Sequence, residues 1–362
     1  MIDKSVLETL VLAGHSGPSA DNSQPLRFVW DGRNTLSVFY DEPRVRGRTF
    51  PADNPATLIA TGAAVHNILE TANRLGVETE ITWHPEDKDK SKHYADIRIL
   101  SAETSSQIAS TTPPALEPLL QRHTNRHPYI KSQLPNHLLT ALGSMREGQA
   151  RLVRITNEPR LKRIGELVKK ASEIRFQTQE VHEWLGASLR FPDTSVKKSD
   201  GLDINTLALP PGGSALLKLI SSWKRMSLLN RIGFYKLLAA IDAQPVKQAP
   251  ALIAVIAPNS IQDTLSAGQL LERCWVFLNN EKVAVHPYYV ISDQLTRLEE
   301  NGVPDKLIPL AKTIKGLSEK EFGYATDERL CMLLRIGYPR VDSPVRSQRL
   351  PLEDVYTDLS ST

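Results

Sequence analysis

"ATGAAVHNILETANRLGVET" (residues 60–79) and "SAGQLLERCWVFLNNEKVAV" (residues 266–285) align without a gap at a shift of 206 residues. Gly62 meets Gly268, Val65 meets Leu271, Leu69 meets Trp275, Asn73 meets Asn279 and Val77 meets Val283. Each stretch reads as a long helix with an early glycine, then a short break, then a strand. A further strand follows each, "ADIRIL" in the first case and "CMLLRIGY" in the second. Identity is low, but the order of elements repeats as well, and self-similarity of this kind marks duplicated architecture. The expectation is two homologous halves, about 1–115 and 116–362.

Working outward, the first half opens with a helix over 3–14. Strands follow at 26–30 and 35–40, joined by the turn "DGRN" (Asp31–Asn34), which is a hairpin signal. A helix fits 55–75, with strands at 77–84 and 95–100. The run "SAETSSQIASTTPPA" (Ser101–Ala115) reads as a seam. The second half shows a helix over about 133–145, a strand at 151–156, and helices at 159–176 and 178–187. Arg190–Gly213 lacks a strong period and reads as a long ordered loop or lid. Helix fits 214–242, and "PALIAVIAP" (Pro250–Pro258) has no polar face, as in a fully buried strand. A helix at 263–281, a strand at 283–290, a helix at about 304–315 and a strand at 330–337 complete the pattern. The fold class is therefore α+β, with two tandem repeats, each a mostly antiparallel sheet packed by helices.

Composition narrows the function classes. The chain has 362 residues, 41% hydrophobic and 23% charged, as in an ordinary folded protein. Lys and Arg outnumber Asp and Glu by 44 to 41, and the basic residues form no clustered stripe, so nucleic acid is not an expected partner. Cys274 and Cys331 lie far apart in apolar runs, with neither a zinc spacing nor a disulfide framework, which suits reduced core cysteines in the cytoplasm. No metal site is expected. The N-terminus does not read as a signal peptide, and no apolar run approaches the ~20 residues of a membrane span. No membrane partner is expected.

Three stretches can build one site. "GHSGPSADNSQPLRF" (Gly14–Phe28) carries more turn formers than a simple connection needs. It is either a long surface turn or a loop that grips a planar polar ligand. In "QRHTNRHPY" (Gln121–Tyr129), Arg122, Thr124 and Arg126 alternate, so an extended segment points them the same way. Two guanidiniums flanking a hydroxyl suit a phosphate; the alternative is a solvated basic strand. "VRSQRLP" (Val345–Pro351) adds Arg346 and Arg349, or is a solvated tail.

Together these stretches resemble the nitroreductase family of flavoproteins. "PSADNSQPLRF" is similar to that family's PSxxNxQPWRF loop, "RHTNRHPY" to its opening RRSxRxF segment, and "RIGYPRVDSPVRSQRLPLEDV" to its closing strand and basic tail. Leu26 replaces the usual Trp and His123 the second Arg. In a single-domain member one repeat carries both the basic segment and the loop. Here the first half has the loop without the segment, and the second has the segment and tail, while "LGSMREGQARLVRI" (Leu142–Ile155) stands where its loop belongs. The resemblance implies an intramolecular pseudo-dimer with one composite FMN site, similar to the dormancy-associated FMN-binding relatives in mycobacteria.

It also implies residue roles. Arg122, Thr124 and Arg126 would hold the FMN phosphate and ribityl chain, with Arg349, and Arg346 beside it, on the phosphate. Pro18, Ser19, Asn22 and Gln24 would reach the ring and ribityl hydroxyls from the other half. "VHPYY" (Val285–Tyr289) matches a strand end that offers backbone donors near the flavin, which brings in His286, Pro287 and Tyr288; His286 and His15 are otherwise ordinary buried or strand-end histidines. Trp184, Phe191, Leu207, Leu209 and Trp223 either line the pocket or simply pack. NAD(P)H would be a transient electron donor, which suits the absence of GxGxxG and P-loop motifs, and no protein residue need be catalytic. The implied function is FMN-dependent hydride transfer from NAD(P)H to a small acceptor or a peptide delivered by a partner. The alternative is a flavin-sequestering or regulatory protein whose lid, Arg190–Gly213, shields the cofactor. A monomer would suffice for one site, and a homodimer remains open.

Overall fold

The computed structural model describes residues 2–45, 47, 49–85, 92–102, 115–192, 199–342 and 344–361. Most of the Ser101–Ala115 seam lies outside them. The strands are Leu26–Trp30 (β1), Thr35–Tyr40 (β2), Val77–Trp83 (β3), His93–Ala102 (β4), Arg146–Glu147 (β5) and Ala150–Ile155 (β6). Leu189–Arg190 (β7), Leu202–Asp203 (β8), Ala251–Pro258 (β9), Ala284–Tyr288 (β10), Glu328–Gly337 (β11) and Tyr356–Asp358 (β12) follow.

Two five-stranded sheets result, in the orders β12-β1-β2-β4-β3 and β5-β6-β9-β11-β10. In each, the four strands other than β12 and β5 follow one plan: two strands pair, a long helix intervenes, and the next strand returns to the sheet's far edge. Every pairing within those four is antiparallel. The long helices are Pro55–Arg74 and Ile261–Asn280, whose starts and ends are offset by the same 206 residues that align the sequences. Their caps correspond as well. Asn54 and Ser260 each accept a backbone N–H at the N-terminus. Gly76 and Lys282 both take left-handed φ (66° and 59°) just past the C-terminus.

The two helices cross in backbone contact. A Cβ on Gly62 would lie 2.0 Å from the Leu265 carbonyl oxygen, and one on Gly268 would lie 2.2 Å from that of Ile59. Ile59 and Leu265 are themselves offset by 206, so each contact is the symmetry mate of the other, as at an isologous dimer interface. The duplicated halves therefore form a pseudo-dimer within one chain.

The halves differ in what covers their sheets. β2 alternates buried and half-buried residues, so one face of the first sheet carries the core of Phe28, Leu36, Val38 and Ile97. In β9 the residues 251–257 are all buried. Leu252, Ala254 and Ile256 face one cluster while Ile253, Val255 and Ala257 face another. Helices cover both faces, which explains the strand's lack of a polar side.

Three expectations need correction. The helix read over 214–242 is three, Gly213–Ile220, Trp223–Asn230 and Phe234–Lys247, broken first at Ser221–Ser222, where Ser222 is extended, and again at Gly233, which adopts left-handed φ. The strand read over 283–290 ends at Tyr288, and Val290–Glu299 is a helix. The tail also crosses back: β12 pairs in parallel with β1, so a division at 115/116 does not divide the sheets.

The helix crossing yields a paired test. Gly62→Ala or Gly268→Ala should destabilise by at least about 3 kcal/mol, since a backbone carbonyl cannot yield to a methyl group. Gly316→Ala, in the helix Ile308–Phe322 with open space around its Cα, should stabilise by about 0.5–1 kcal/mol. Urea unfolding of the three variants measures both effects.

Candidate functional site

The opening loop is held in an unusual backbone. Helix Lys4–His15 ends in it, Ala20–Asn22 form one 3₁₀ turn, and β1 begins at Leu26. Asp21, Asn22 and Gln24 all have positive φ (48°, 56° and 51°). Asn and Asp tolerate that region, but Gln24 pays the steric cost of its Cβ, and such residues persist only where their surroundings over-determine them. The determinants are visible. Ser19 Oγ accepts from Gln24 N (3.0 Å), and Gln24 Oε1 accepts from Leu350 N (2.9 Å). Gln24 Nε2 donates to Ser199 O (3.0 Å), and Asn22 Nδ2 donates to Gly201 O (3.0 Å) and Gln348 O (2.9 Å). The carboxamides of Asn22 and Gln24 thus hold two other segments, residues 199–201 and 348–350.

Below the loop lies a buried charge cluster. Arg122 Nε is 3.0 Å from Glu272 Oε1, with side-chain exposures of 7% and 0%. Arg122 Nη2 and Arg349 Nη2 each donate to the same Ser16 carbonyl, both at 3.0 Å. That carbonyl sits at the C-terminal end of the first helix, where the dipole favours cations. Asn67 Nδ2 donates to Glu272 Oε1 at 3.0 Å. Burial raises the Glu272 carboxyl above the usual range, opposed by Arg122 and the Asn67 hydrogen bond. Burial lowers the Arg349 guanidinium to about 9, helped by the like charge of Arg122. Two guanidiniums therefore face one carboxylate. Arg349 Nη1 and Glu272 Oε2 are buried without hydrogen-bond partners.

The second long helix positions Arg122. Glu272, Trp275 and Asn279 recur at helical spacing, so they share a face. The Arg122 guanidinium lies 4.7 Å from the Trp275 ring centroid. Trp275 Nε1 donates to His123 O (3.0 Å), and Asn279 Oδ1 accepts from His123 N (2.9 Å). Asn67, from the first long helix, completes the cluster, so the site forms where the two halves meet.

The remaining expected residues divide. Pro18, Ser19, Gln24 and Arg349 line one small cavity of about 20 Å³ with His15 and Phe28, room for about one water. Thr124 forms a parallel bridge with Val285 of β10. Arg126 Nη1 donates to Thr206 O (3.2 Å); burial lowers its guanidinium, and Asp21 of the loop is its first opposing charge. The rings of His286 and Tyr288 have centroids 4.5 Å apart and are tilted by 50°, and Pro287 lies between these residues in β10, opposite Leu334. Burial keeps the His286 imidazole neutral, with Arg335 and Arg126 reinforcing the effect, and its Nδ1 has no hydrogen-bond partner. Arg346 is not brought to the loop. It is exposed and donates to Leu120 O (2.6 Å) and Gln121 O (3.3 Å), at the end of the helical residues 115–121.

Of the apolar candidates, Trp184 packs edge-on against Phe50 and Trp223 against His182, while Leu209 is 38% exposed. Sequence reading did not single out Ser16, Asn67, Glu272 or Arg335. The available signal was a lone polar residue on an apolar helical face, as in "LLERCW" and "AVHNIL". Among the described residues, His84, His93 and Asp96 bring their polar atoms together elsewhere, where both imidazoles already bond Asp96 (2.9 and 2.8 Å).

No family model matches the chain. Among curated proteins, an uncharacterized protein of Mycobacterium tuberculosis (strain CDC 1551 / Oshkosh) is 25% identical over 182 residues, covering 47% of this chain. The match spans 24% of that relative's length. Among solved structures, an FMN-dependent nitroreductase from Mycobacterium smegmatis in complex with NADPH is 14% identical at a TM-score of 0.39, covering 67% of this chain and 96% of its own. A nitroreductase with bound FMN from Bacteroides fragilis NCTC 9343 is 11% identical at a TM-score of 0.37, covering 65% and 94%.

The site predicts a pH dependence. His15 is 6% exposed, its Nε2 lies 3.0 Å from Leu350 O, and burial lowers its pKa from 6.5 to about 4. The unfolded chain then binds a proton that the folded chain refuses, so this contribution is complete above about pH 6.5 and is lost as pH falls towards 4. His15→Gln should make the stability profile shallower by about 1.4 kcal/mol per pH unit in that window, measured by urea unfolding across it.

Proposed function

We propose that this chain is an FMN-dependent oxidoreductase of nitroreductase type, with one composite site in which its two halves meet. The observation that carries the reading is the convergence of Arg122 and Arg349, from distant segments, on one carbonyl beside one carboxylate. Such a cluster keeps a net positive charge out of water, and an anion with several acceptor oxygens complements it. The FMN phosphate is such a group. The strained loop supports the same reading, since its Ser and carboxamide groups suit a ring edge and ribityl hydroxyls.

In this reading Arg122 and Arg349 hold the phosphate, and Thr124 and Arg126 follow along the ribityl chain. Asn22 and Gln24 reach the ring across the junction, and His286 to Tyr288 border it from β10. Bound FMN supplies hydride chemistry, taking electrons from NAD(P)H and giving them to a small acceptor. The protein's part is orientation and the exclusion of water. The donors fit the group, but the cavity of about 20 Å³ does not admit a ring system. Residues 199–207 occupy the side-chain donors of Asn22, Gln24 and Arg126, and their displacement would free those donors for the cofactor. That same engagement favours a second reading, a flavin store shielded by its lid.

Purified protein given FMN should show bound-flavin absorption, and Arg349→Ala should weaken FMN binding about 10- to 160-fold, the range for a charge-assisted contact of about 1.5–3 kcal/mol. Unchanged affinity in that variant overturns the site. With flavin bound, anaerobic bleaching by NADPH supports the oxidoreductase, and persistent colour supports the store.

A further inference from the structure

The insert that follows the lid carries a surface the site does not explain. Of the fourteen large apolar residues exposed among the described residues, seven lie between Leu209 and Ile241. They recur at helical spacing. Leu216 and Leu219 are 40% and 50% exposed on the first helix of the insert. Leu228 (62%) on the second is followed by Ile232 (82%) in the turn just past its end, and Leu237 (55%) by Ile241 (58%) on the third. Elsewhere on the described chain such residues are scattered, which needs no explanation; a concentration on consecutive helices does.

Charge is equally uneven. From residue 204 to 241 there is no Asp or Glu, while Lys218, Lys224, Arg225, Arg231 and Lys236 are all present. The whole chain is nearly balanced, at 44 basic to 41 acidic residues. The buried side of the insert is anchored. Ile220, Met226 and Ala239 are at most 5% exposed, His182 Nε2 lies 2.8 Å from Ile220 O, and Asn230 Nδ2 donates to Phe176 O (2.8 Å). The apolar outer face is thus a feature of folded helices. Helices of 8, 8 and 14 residues are too short to span a bilayer, and no helix among the described residues is long and apolar enough to cross one.

We propose that residues 213–241 form a peripheral membrane-binding surface that lies on an anionic bilayer. Apolar side chains would enter the headgroup–acyl boundary, and the cations would meet lipid phosphates, the arrangement that drives interfacial helices onto membranes. Charge complementarity selects this occupant: five cations without a single acidic residue would repel a second copy of the same face. The surface joins the lid residues 199–207 through Ala208–Gly212, so the element that closes the site and the element that meets the bilayer are one insert. The proposal does not depend on the flavin reading.

The test is flotation of the purified full-length chain with vesicles of phosphatidylcholine alone and vesicles that also contain phosphatidylglycerol. Binding to the anionic vesicles, weakened by salt, is expected. Lys224→Gln and Arg225→Gln should each lower the partition coefficient about fivefold, the equivalent of about 1 kcal/mol per cation. Ile232→Glu, at a site 82% exposed and therefore harmless to folding, should lower it at least about tenfold, with an unchanged circular dichroism spectrum. No binding to anionic vesicles, or binding indifferent to Ile232→Glu, overturns the proposal. A dimer in light scattering that Ile232→Glu dissociates would show a second copy on this face and overturn it as well.

Discussion

The rest of the structure depends on the crossing of two helices at Gly62 and Gly268. With no Cβ at either position, the backbones meet at Leu265 and Ile59, and helices with ordinary side chains there would stand further apart. The separation sets everything built across the junction. Asn67 reaches Glu272 only because the helices are this close, and Glu272 in turn holds Arg122. The packing of the two halves and the geometry of the charge cluster therefore rest on the same pair of glycines.

Duplication without symmetry is the second theme. The two sheets share a strand order, and the two long helices share length, caps and crossing point. Their polar residues have diverged. Asn67 and Glu272 face each other, whereas the positions symmetry would pair with them hold Arg273 and His66. The basic segment exists only in the second half and the strained loop only in the first. The second sheet is covered on both faces, while the first leaves one side open. The buried charge cluster of Arg122, Glu272 and Asn67 accordingly lies on one side of the pseudo-dyad.

The insert between β6 and β9 is held against the opening loop by Asn22 and Gln24. Segment 199–207 accepts hydrogen bonds from Asn22, Gln24 and Arg126, the side chains best suited to a ring and its ribityl chain. Under the proposed function, cover and ligand would compete for the same donors, so lid closure and binding would be linked. The helices that continue from the lid expose apolar surface rather than burying it, and any surface that engages them would act on that balance.

By itself the sequence determined the duplicated architecture, because hydrophobic periodicity and the glycine positions are local properties that recur at one shift. It also showed that the Gly14–Phe28 loop and the Arg122–Arg126 segment were unlike ordinary connections, since their composition departs from what a turn or a strand requires. Only the tertiary structure decided which charges meet. Arg346 and Arg349 are three residues apart and read alike, yet one caps a helix end and the other enters the buried cluster. Glu272 and Asn67 read as unremarkable helix positions until the crossing placed them together. The return of the tail to pair with β1, and the engagement of the loop's carboxamides by the lid, are likewise contacts between residues far apart in the chain. No local pattern encodes a partner that arrives from 175 or 326 residues away; packing selects it.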